Sequence, residues 1–490
     1  MMRTENHRPQ FHFSAAKNWI NDPNGLVYFE GEYHLFYQCN PFGDQWGHMS
    51  WGHAVSRDML HWQELPVAIE ENERVSIFSG SVVVDSRNSS GLGDGGTAPL
   101  VAIYTGQQRQ GRGQAQELAY SIDRGRTWTA YDDNPVLDLG LAEFRDPKVF
   151  WHDATTRWVM LVALPDLRLA RFYSSPDLKS WTWLSDFSAP FDGQGIWECP
   201  DLIPLHLSDG GSTWLFKVDV LGGHPSGDSG ARIVFGQFDG VAFTPDPGLD
   251  LQWADWGADF YAALSWSALP ATSPTPVWLG WMNCHRYAKH LPTQPWRGSM
   301  SLPRELHAHK GPRGLQLLQR PLAVLQTLRG EHFNLKNLAL DNQERALLPP
   351  GADGRALEII WGLRASSANE CGLLLRAADE AGGEATVVGY DLQQQTVFID
   401  RSRSGFLPPD DALYARRRQA PLQGPVAGRP LRLHILLDWS SVEVFVDDGH
   451  TVLTEQIFPA ESSRGLRLFA RGGTAELAGV DVWLLAGVRP

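Results

Sequence analysis

The sequence predicts an all-β protein in two parts, a β-propeller followed by a β-sandwich. Three observations carry that reading. Long helical periodicity is scarce, and short β-branched and aromatic bursts such as "YHLFYQCN", "FSGSVVVD", "RWVMLVAL" and "TWLFKVDV" alternate with Gly, Pro, Asp and Asn. A hairpin idiom recurs through the first half. After about residue 325 the strands lengthen and the idiom stops.

The idiom is an apolar pair, a Ser, an Asp-containing turn, then Trp. It stands in "HAVSRDMLHWQEL" (53–65), "AYSIDRGRTWTAY" (119–131) and "RFYSSPDLKSWTWL" (171–184), and more faintly in "FGQFDGVAFTPD" (235–246), where Phe243 replaces Trp. The aligned aspartates, Asp58, Asp123, Asp177 and Asp239, are 54 to 65 residues apart, the length of a four-stranded blade with long loops. Each Trp is expected to pack between neighbouring blades. The alternative is a shared hairpin without repeat ancestry. The expected boundaries are a propeller over 1–325, a linker over 326–335 and a sandwich over 336–490. In the last part about seven alternating strands are expected, and the Asp-Asp-Gly of "SVEVFVDDGHTVLTE" reads as a hairpin turn.

With 490 residues, 43% hydrophobic and 20% charged, the chain is globular and long enough for two cores. A net charge of −14 with no basic run argues against nucleic acid and against an anionic membrane surface. No apolar stretch reaches the ~18 residues of a membrane span. The 20 Trp, 22 Phe and 11 Tyr suit an aromatic core and equally suit stacking on sugar rings. Cys39, Cys199, Cys284 and Cys371 are widely spaced, so neither a disulfide framework nor a zinc site is expected. Those thiols and the lack of an apolar leader give a cytoplasmic expectation.

Three acids have unusual neighbours. Asp22 lies in "NWINDPNGLVYF", where Asp22-Pro23-Asn24-Gly25 reads as a tight turn hemmed by aromatic and aliphatic residues. Asp146 lies in "EFRDPKVFWH" beside Arg145, and Glu198 in "QGIWECPDL" between Trp197 and Cys199. Apolar surroundings raise a carboxyl pKa and an adjacent Arg lowers it, which is the separation that glycoside hydrolysis uses. Taken singly, the three read as a turn residue, an ion pair and a surface acid. Taken together they belong to the first, third and fourth blades, whose inner strands converge at one mouth. His48 and His53 are expected on opposite faces of one strand, and no metal pair follows.

At these residues the chain resembles glycoside hydrolase family 32, the β-fructosidases. "NWINDPNGL", "FRDPKVF" and "WECPDL" resemble the family's three acidic motifs; "YQCNPFGDQWGHMSWGHAVSRDMLHW", "FSGS", "WRGSMSLPREL", "GLLLRA", "DRSRSG" and "SSVEVFVDDG" also follow its pattern. The resemblance implies a five-bladed propeller followed by a β-sandwich. It implies Asp22 as nucleophile, Glu198 as acid/base and Asp146 as stabiliser of the transition state, with Arg145 charge-balancing Asp146. Asn21, Gln38, Trp46, Phe78, Ser79 and His285 would line the substrate pocket, and no metal or cofactor is implied. "PLVAIYTG" and "ADFYAALSW" look most like exo-acting fructan hydrolases, which remove terminal β-D-fructose from fructans and sucrose. One stretch departs from the pattern: "NCHRYA" places Cys284, His285 and Arg286 where relatives commonly carry a Trp. The same fold also serves transfructosylases and catalytically silent fructan-binding proteins, and a propeller can be a mere scaffold. The second domain would buttress the first or complete a neighbour's site in a homodimer.

Overall fold

The computed structural model describes residues 5–488 except 112, 190–194, 208, 228, 249–251, 312–313, 381, 410, 423 and 425–428. The outer ends of the expected propeller and sandwich, 1–4 and 489–490, thus lie outside the described residues. Five antiparallel sheets come first. Their innermost strands are Asn18–Phe29, Val75–Val84, Arg145–His152, Ile196–His206 and Tyr261–Ser265. Each innermost strand touches the next, and the fifth touches the first, so the five blades form a ring. Trp296–Arg297 joins the first blade as a parallel strand beside Asn18 and Trp19 and ties the ring's two ends.

The repeated idiom is the turn between the third and fourth strands of the first four blades. In the first, Ser56 bonds Asp58, whose carboxylate accepts the N–H groups of Leu60 and His61. Asp123 and Asp177 repeat the arrangement with Ser121 and Ser175, and Asp239 accepts from Val241 and Ala242. These are Asx-type turns, in which a short carboxylate satisfies backbone donors that no ladder reaches. The aromatic that follows packs across blades. Trp62 stacks on Trp266 of the fifth blade, Trp128 stands edge-on to Phe36 of the first, and Phe243 edge-on to Phe187 of the third.

The rest is a sandwich of two six-stranded sheets. One is ordered 329–341, 474–485, 357–366, 431–438, 441–446, 451–456; the other 344–346, 465–471, 370–377, 385–391, 396–403, 418–421. Alternating Val, Leu and Ile from both inner faces form one apolar core around Trp361. The strands number twelve among the described residues, against the expected seven, in part because 344–346 and 418–421 are too short to alternate and because 431–438, 441–446 and 451–456 follow one another in a single alternating run. The expected linker 326–335 is instead the end of a 3-10 turn (Ala323–Leu328) and the first half of strand Arg329–Asp341, paired with Thr474–Leu485. Asp447–Gly449 does join two paired strands.

Candidate active site

All five innermost strands break register at the same level. In each, two residues oppose one on the neighbouring strand: Asn21 and Asp22 between the Ile20 and Pro23 pairs, Phe78 and Ser79 between Ile77 and Gly80, and Asp146 and Pro147 between Arg145 and Lys148. Cys199 and Pro200 follow between Glu198 and Asp201, and Ala262 and Ala263 between Tyr261 and Leu264. A bulge bends its strand and re-aims the side chains beside it. Five of them in a ring turn one layer of side chains toward the channel mouth. Asp146, Cys199 and Ala262 occupy matching bulge positions with φ of 65°, 46° and 53°. Such backbone costs of order 1–3 kcal/mol per residue and persists only where the surroundings enforce it. The expected turn at Asp22-Pro23-Asn24-Gly25 is therefore a correction: these residues lie inside a twelve-residue strand with two register shifts.

The layer brings the three acids together. Ser79 donates to Asp22 Oδ2 at 2.5 Å, and Asn21 Nδ2 donates to Oδ1 at 3.1 Å. Gln38 holds Ser79 at 2.6 Å, and Trp19 Nε1 holds Asn21 at 2.8 Å. Cys199 connects two of the acids, with Sγ 3.8 Å from Asp22 Oδ2 and 3.5 Å from Asp146 Oδ2. Its backbone N–H donates to Asp146 Oδ2 at 2.9 Å, while Asp146's own N–H goes to Thr105 Oγ1 at 2.9 Å. Arg145 grips Glu198 Oε1 through Nε (3.0 Å) and Nη2 (2.8 Å), and the Tyr261 hydroxyl donates to Oε2. At the rim, Phe78 meets the half-exposed Trp46 edge-on at 6.1 Å. His285, exposed at the mouth, stands edge-on to Tyr261 at 4.8 Å and to Trp281 at 5.1 Å.

Below this layer the channel is closed by buried ion pairs. Lys148 bonds Asp201 at 3.3 Å and the Ser265 carbonyl at 2.7 Å. Lys217 bonds Asp219 and the carbonyls of Cys199 (3.0 Å) and Ala263.

The electrostatics reverse the expected order. Burial is the largest influence on Glu198 and favours its neutral form, yet Arg145, His285 and the Tyr261 hydroxyl outweigh it and hold Glu198 below the ordinary glutamate range. Burial also dominates at Asp146, and there it wins. With the negative charges of Glu198 and Asp22 adding to it, Asp146 is pushed up to about 7 against the pull of Arg145. Arg145 divides its charge between acids: its Nε is 4.0 Å from Asp146 Oδ2, and its short bonds go to Glu198 and Glu143. It therefore serves Glu198 more closely than Asp146, the acid it was expected to charge-balance, while still pulling on Asp146. Asp219, cross-strand neighbour of Glu198, is likewise pushed up to about 7, chiefly by burial.

Every sequence-predicted pocket residue lies in this layer or at its rim. Sequence reasoning missed Tyr261, Thr105 and the Cys199 bridge, and it missed the Lys148–Asp201 and Lys217–Asp219 floor. "RDPK" and "ECPD" carried a signal, since Lys148 and Asp201 occupy matching places after the bulge and pair with each other. His48 and His53 are far apart in environment. His48 lies before its strand and bonds Glu71, while His53 is buried against His34.

Models of "Glycosyl hydrolases family 32 N-terminal domain" and "Glycosyl hydrolases family 32 C terminal" match residues 12–321 and 324–484. The chain belongs to glycoside hydrolase family 32. A levanase from Bacillus subtilis (strain 168) is 44% identical over 485 residues, covering 98% of this chain and 70% of the levanase. Among solved structures, the exo-inulinase from Aspergillus awamori matches with a TM-score of 0.92 and 37% identity, covering 100% of both chains. A β-fructofuranosidase from Schwanniomyces occidentalis, complexed with fructosyl-erythritol, matches at 0.89 and 30%, covering 99% of this chain and 98% of that one. This family 32 chain is thus a glycoside hydrolase with a five-bladed propeller and a β-sandwich.

Proposed function

We propose that the protein is a retaining, exo-acting β-fructosidase that removes terminal, non-reducing β-D-fructofuranosyl units from fructans, fructo-oligosaccharides and sucrose. The observation that carries this is the ring of bulges, which sets Asp22, Asp146 and Glu198 from three blades around Cys199 in one layer of side chains. The levanase, exo-inulinase and β-fructofuranosidase among its relatives support the substrate class.

In this reading the Asp22 carboxylate attacks the anomeric C2 while the C2–O bond to the leaving sugar breaks, and Glu198 gives its proton to the departing oxygen. Ser79 and Asn21 hold Asp22 on line. Asp146, kept in place by the Cys199 N–H, accepts hydrogen bonds from fructosyl hydroxyls as positive charge develops on the ring. Water then attacks C2 from the face the leaving group vacated, Glu198 takes its proton, and Asp22 departs, so the configuration is retained. Glu198 enters this cycle ionised, and a neutral sugar that covers the pocket strips water from it and promotes proton uptake.

The test is product analysis on sucrose, a short inulin-type oligosaccharide and levan. Free fructose released one unit at a time, first as the β-anomer, is expected. Internal fragments, an α-anomer first product, or transfer to sugar in place of water would overturn the reading.

A further inference from the structure

Trp46 reaches the rim of the site from a loop, 41–49, that joins the strands Glu32–Asn40 and Ser50–Ser56 of the first blade. Those strands pair Cys39 with Ser50, one residue beyond Gln38, which holds Ser79. The loop therefore leaves the blade at the level of the acidic layer. Trp46 meets Phe78 edge-on, and the same loop carries a second aromatic, Phe42.

The backbone of this loop is pinned along its length. Asn18 Nδ2 donates to the Pro41 carbonyl (2.7 Å), and the Trp19 N–H to that of Gly43 (3.0 Å). The buried Asn40 spans the bend, accepting the Phe42 N–H (2.9 Å) and donating to the Gln45 carbonyl (2.8 Å). Asp44 pairs with Arg297 at 3.2 Å. The Met49 carbonyl accepts the Ile77 N–H (2.9 Å), which fastens the far end to the strand carrying Phe78 and Ser79. A loop held in this way presents its side chains in one geometry, so little freedom is lost when a ligand settles on them.

What it presents is apolar and open. Exposure rises outward from the site: Phe78 is half-buried, Trp46 is 49% exposed and Phe42 76%, the most of any large apolar side chain among the described residues. A phenyl left in water buries nothing in a core, so the fold gives no account of Phe42. Its ring stands edge-on to His48 at 5.3 Å. His48 bonds Glu71 (2.6 Å), and Glu71 also takes Arg109 and the Ser76 hydroxyl (3.3 Å) from the second blade. A flat apolar face thus lies beside hydrogen-bonding groups. That is the complement of a sugar ring, which offers a C–H face bordered by hydroxyls.

We propose that Phe42, backed by His48, is an outer subsite that stacks on the sugars beyond the second in a fructan chain whose terminal fructosyl unit lies against Asp22. The proposal rests on the β-fructosidase reading and adds a chain-length preference to it. A disaccharide such as sucrose ends at Trp46, and a longer chain continues over the loop to Phe42.

The experiment measures kcat and KM separately for the unaltered protein, Phe42→Ala and Phe42→Trp. The substrates are sucrose and fructan tri- to pentasaccharides of both inulin and levan linkage, and thermal melts establish that each variant is folded. For the unaltered protein, KM is expected to fall as the chain lengthens in the series it cleaves better. Phe42→Ala raises KM for the longer members of that series by about threefold to tenfold with kcat retained, and leaves sucrose within about twofold. Phe42→Trp, which keeps a stacking face, stays close to the unaltered protein on all of them. A merely structural role would move sucrose and the longer chains together. Equal losses on sucrose and on the longer chains, or no change on the longer chains, would overturn the proposal. An unaltered protein that releases no fructose from any of these substrates would overturn the β-fructosidase reading itself, so the two failures are distinguishable.

Discussion

Two dense groups of charged side chains are buried in this protein, and they are built in opposite ways. Between propeller and sandwich, His12 bridges Asp438 (2.8 Å) and Glu443 (2.9 Å), and Arg304 binds Glu443 (2.6 Å), Asp255 (3.0 Å), Thr454 (2.7 Å) and Gln319 (3.0 Å). Cations and acids alternate there. Burial opposes ionisation of Asp438 and Glu443, yet their partners hold both below the ordinary range and lift His12 to about 9. At the propeller mouth, Asp22, Asp146, Glu198 and Asp219 share Arg145 and Lys217, and two of the four acids are pushed up to about 7. A compensated network fixes a structure. An under-compensated one, held partly on left-handed bulges, leaves neighbouring acids with widely separated proton affinities, Asp146 and Asp219 high and Glu198 low, as functional sites characteristically do.

That contrast predicts different outcomes for single substitutions. The largest effect belongs to Asp22→Asn, which lowers kcat/KM on sucrose by on the order of 10⁴ or more while the melting temperature stays near that of the parent. A variant that unfolds instead would place Asp22 with the structural network. Arg304→Met does the reverse. It leaves Asp255 buried without its cation and Glu443 with His12 alone, and lowers stability by about 3–5 kcal/mol in denaturant titrations, with turnover per folded molecule retained. Unchanged stability would remove the distinction between the two groups. The smallest effect is the pH dependence of stability through His12. Its folded pKa, about 9, lies above the ordinary 6.5, so its contribution is complete below about 6.5 and is lost as pH rises through about 9. Stability falls over that window by roughly 1–3 kcal/mol, and His12→Gln flattens the fall.

Legibility in the sequence followed the range of the interaction. The Asx turns at Asp58, Asp123 and Asp177 bond partners two to four residues away, so the repeat and hence the blades were readable from local spacing. The three site acids were readable because each sits in a short motif whose residues share a bulge. Tyr261 was not, since its only mark is a bond to a residue 63 positions away. Neither was the pairing of Arg145, which bonds Glu198 on another blade in preference to its sequence neighbour Asp146. The reading of Asp22-Pro23-Asn24-Gly25 as a turn was sound local chemistry, but pairing of Pro23 and Asn24 with Tyr37 and Phe36 of the strand Glu32–Asn40 overrode it. The linker expected at 326–335 failed likewise, because Arg329–Asp341 finds its partner some 140 residues on.

The central claim is that Asp22 bonds to the sugar while Glu198 moves the proton. Glu198→Gln, given an aryl fructoside, still forms the fructosyl-enzyme but lacks the base to hydrolyse it, so the intermediate accumulates. Mass spectrometry of the digested protein then finds one added fructosyl residue on the peptide containing Asp22. An adduct on Asp146, or on any other carboxylate, would contradict the account.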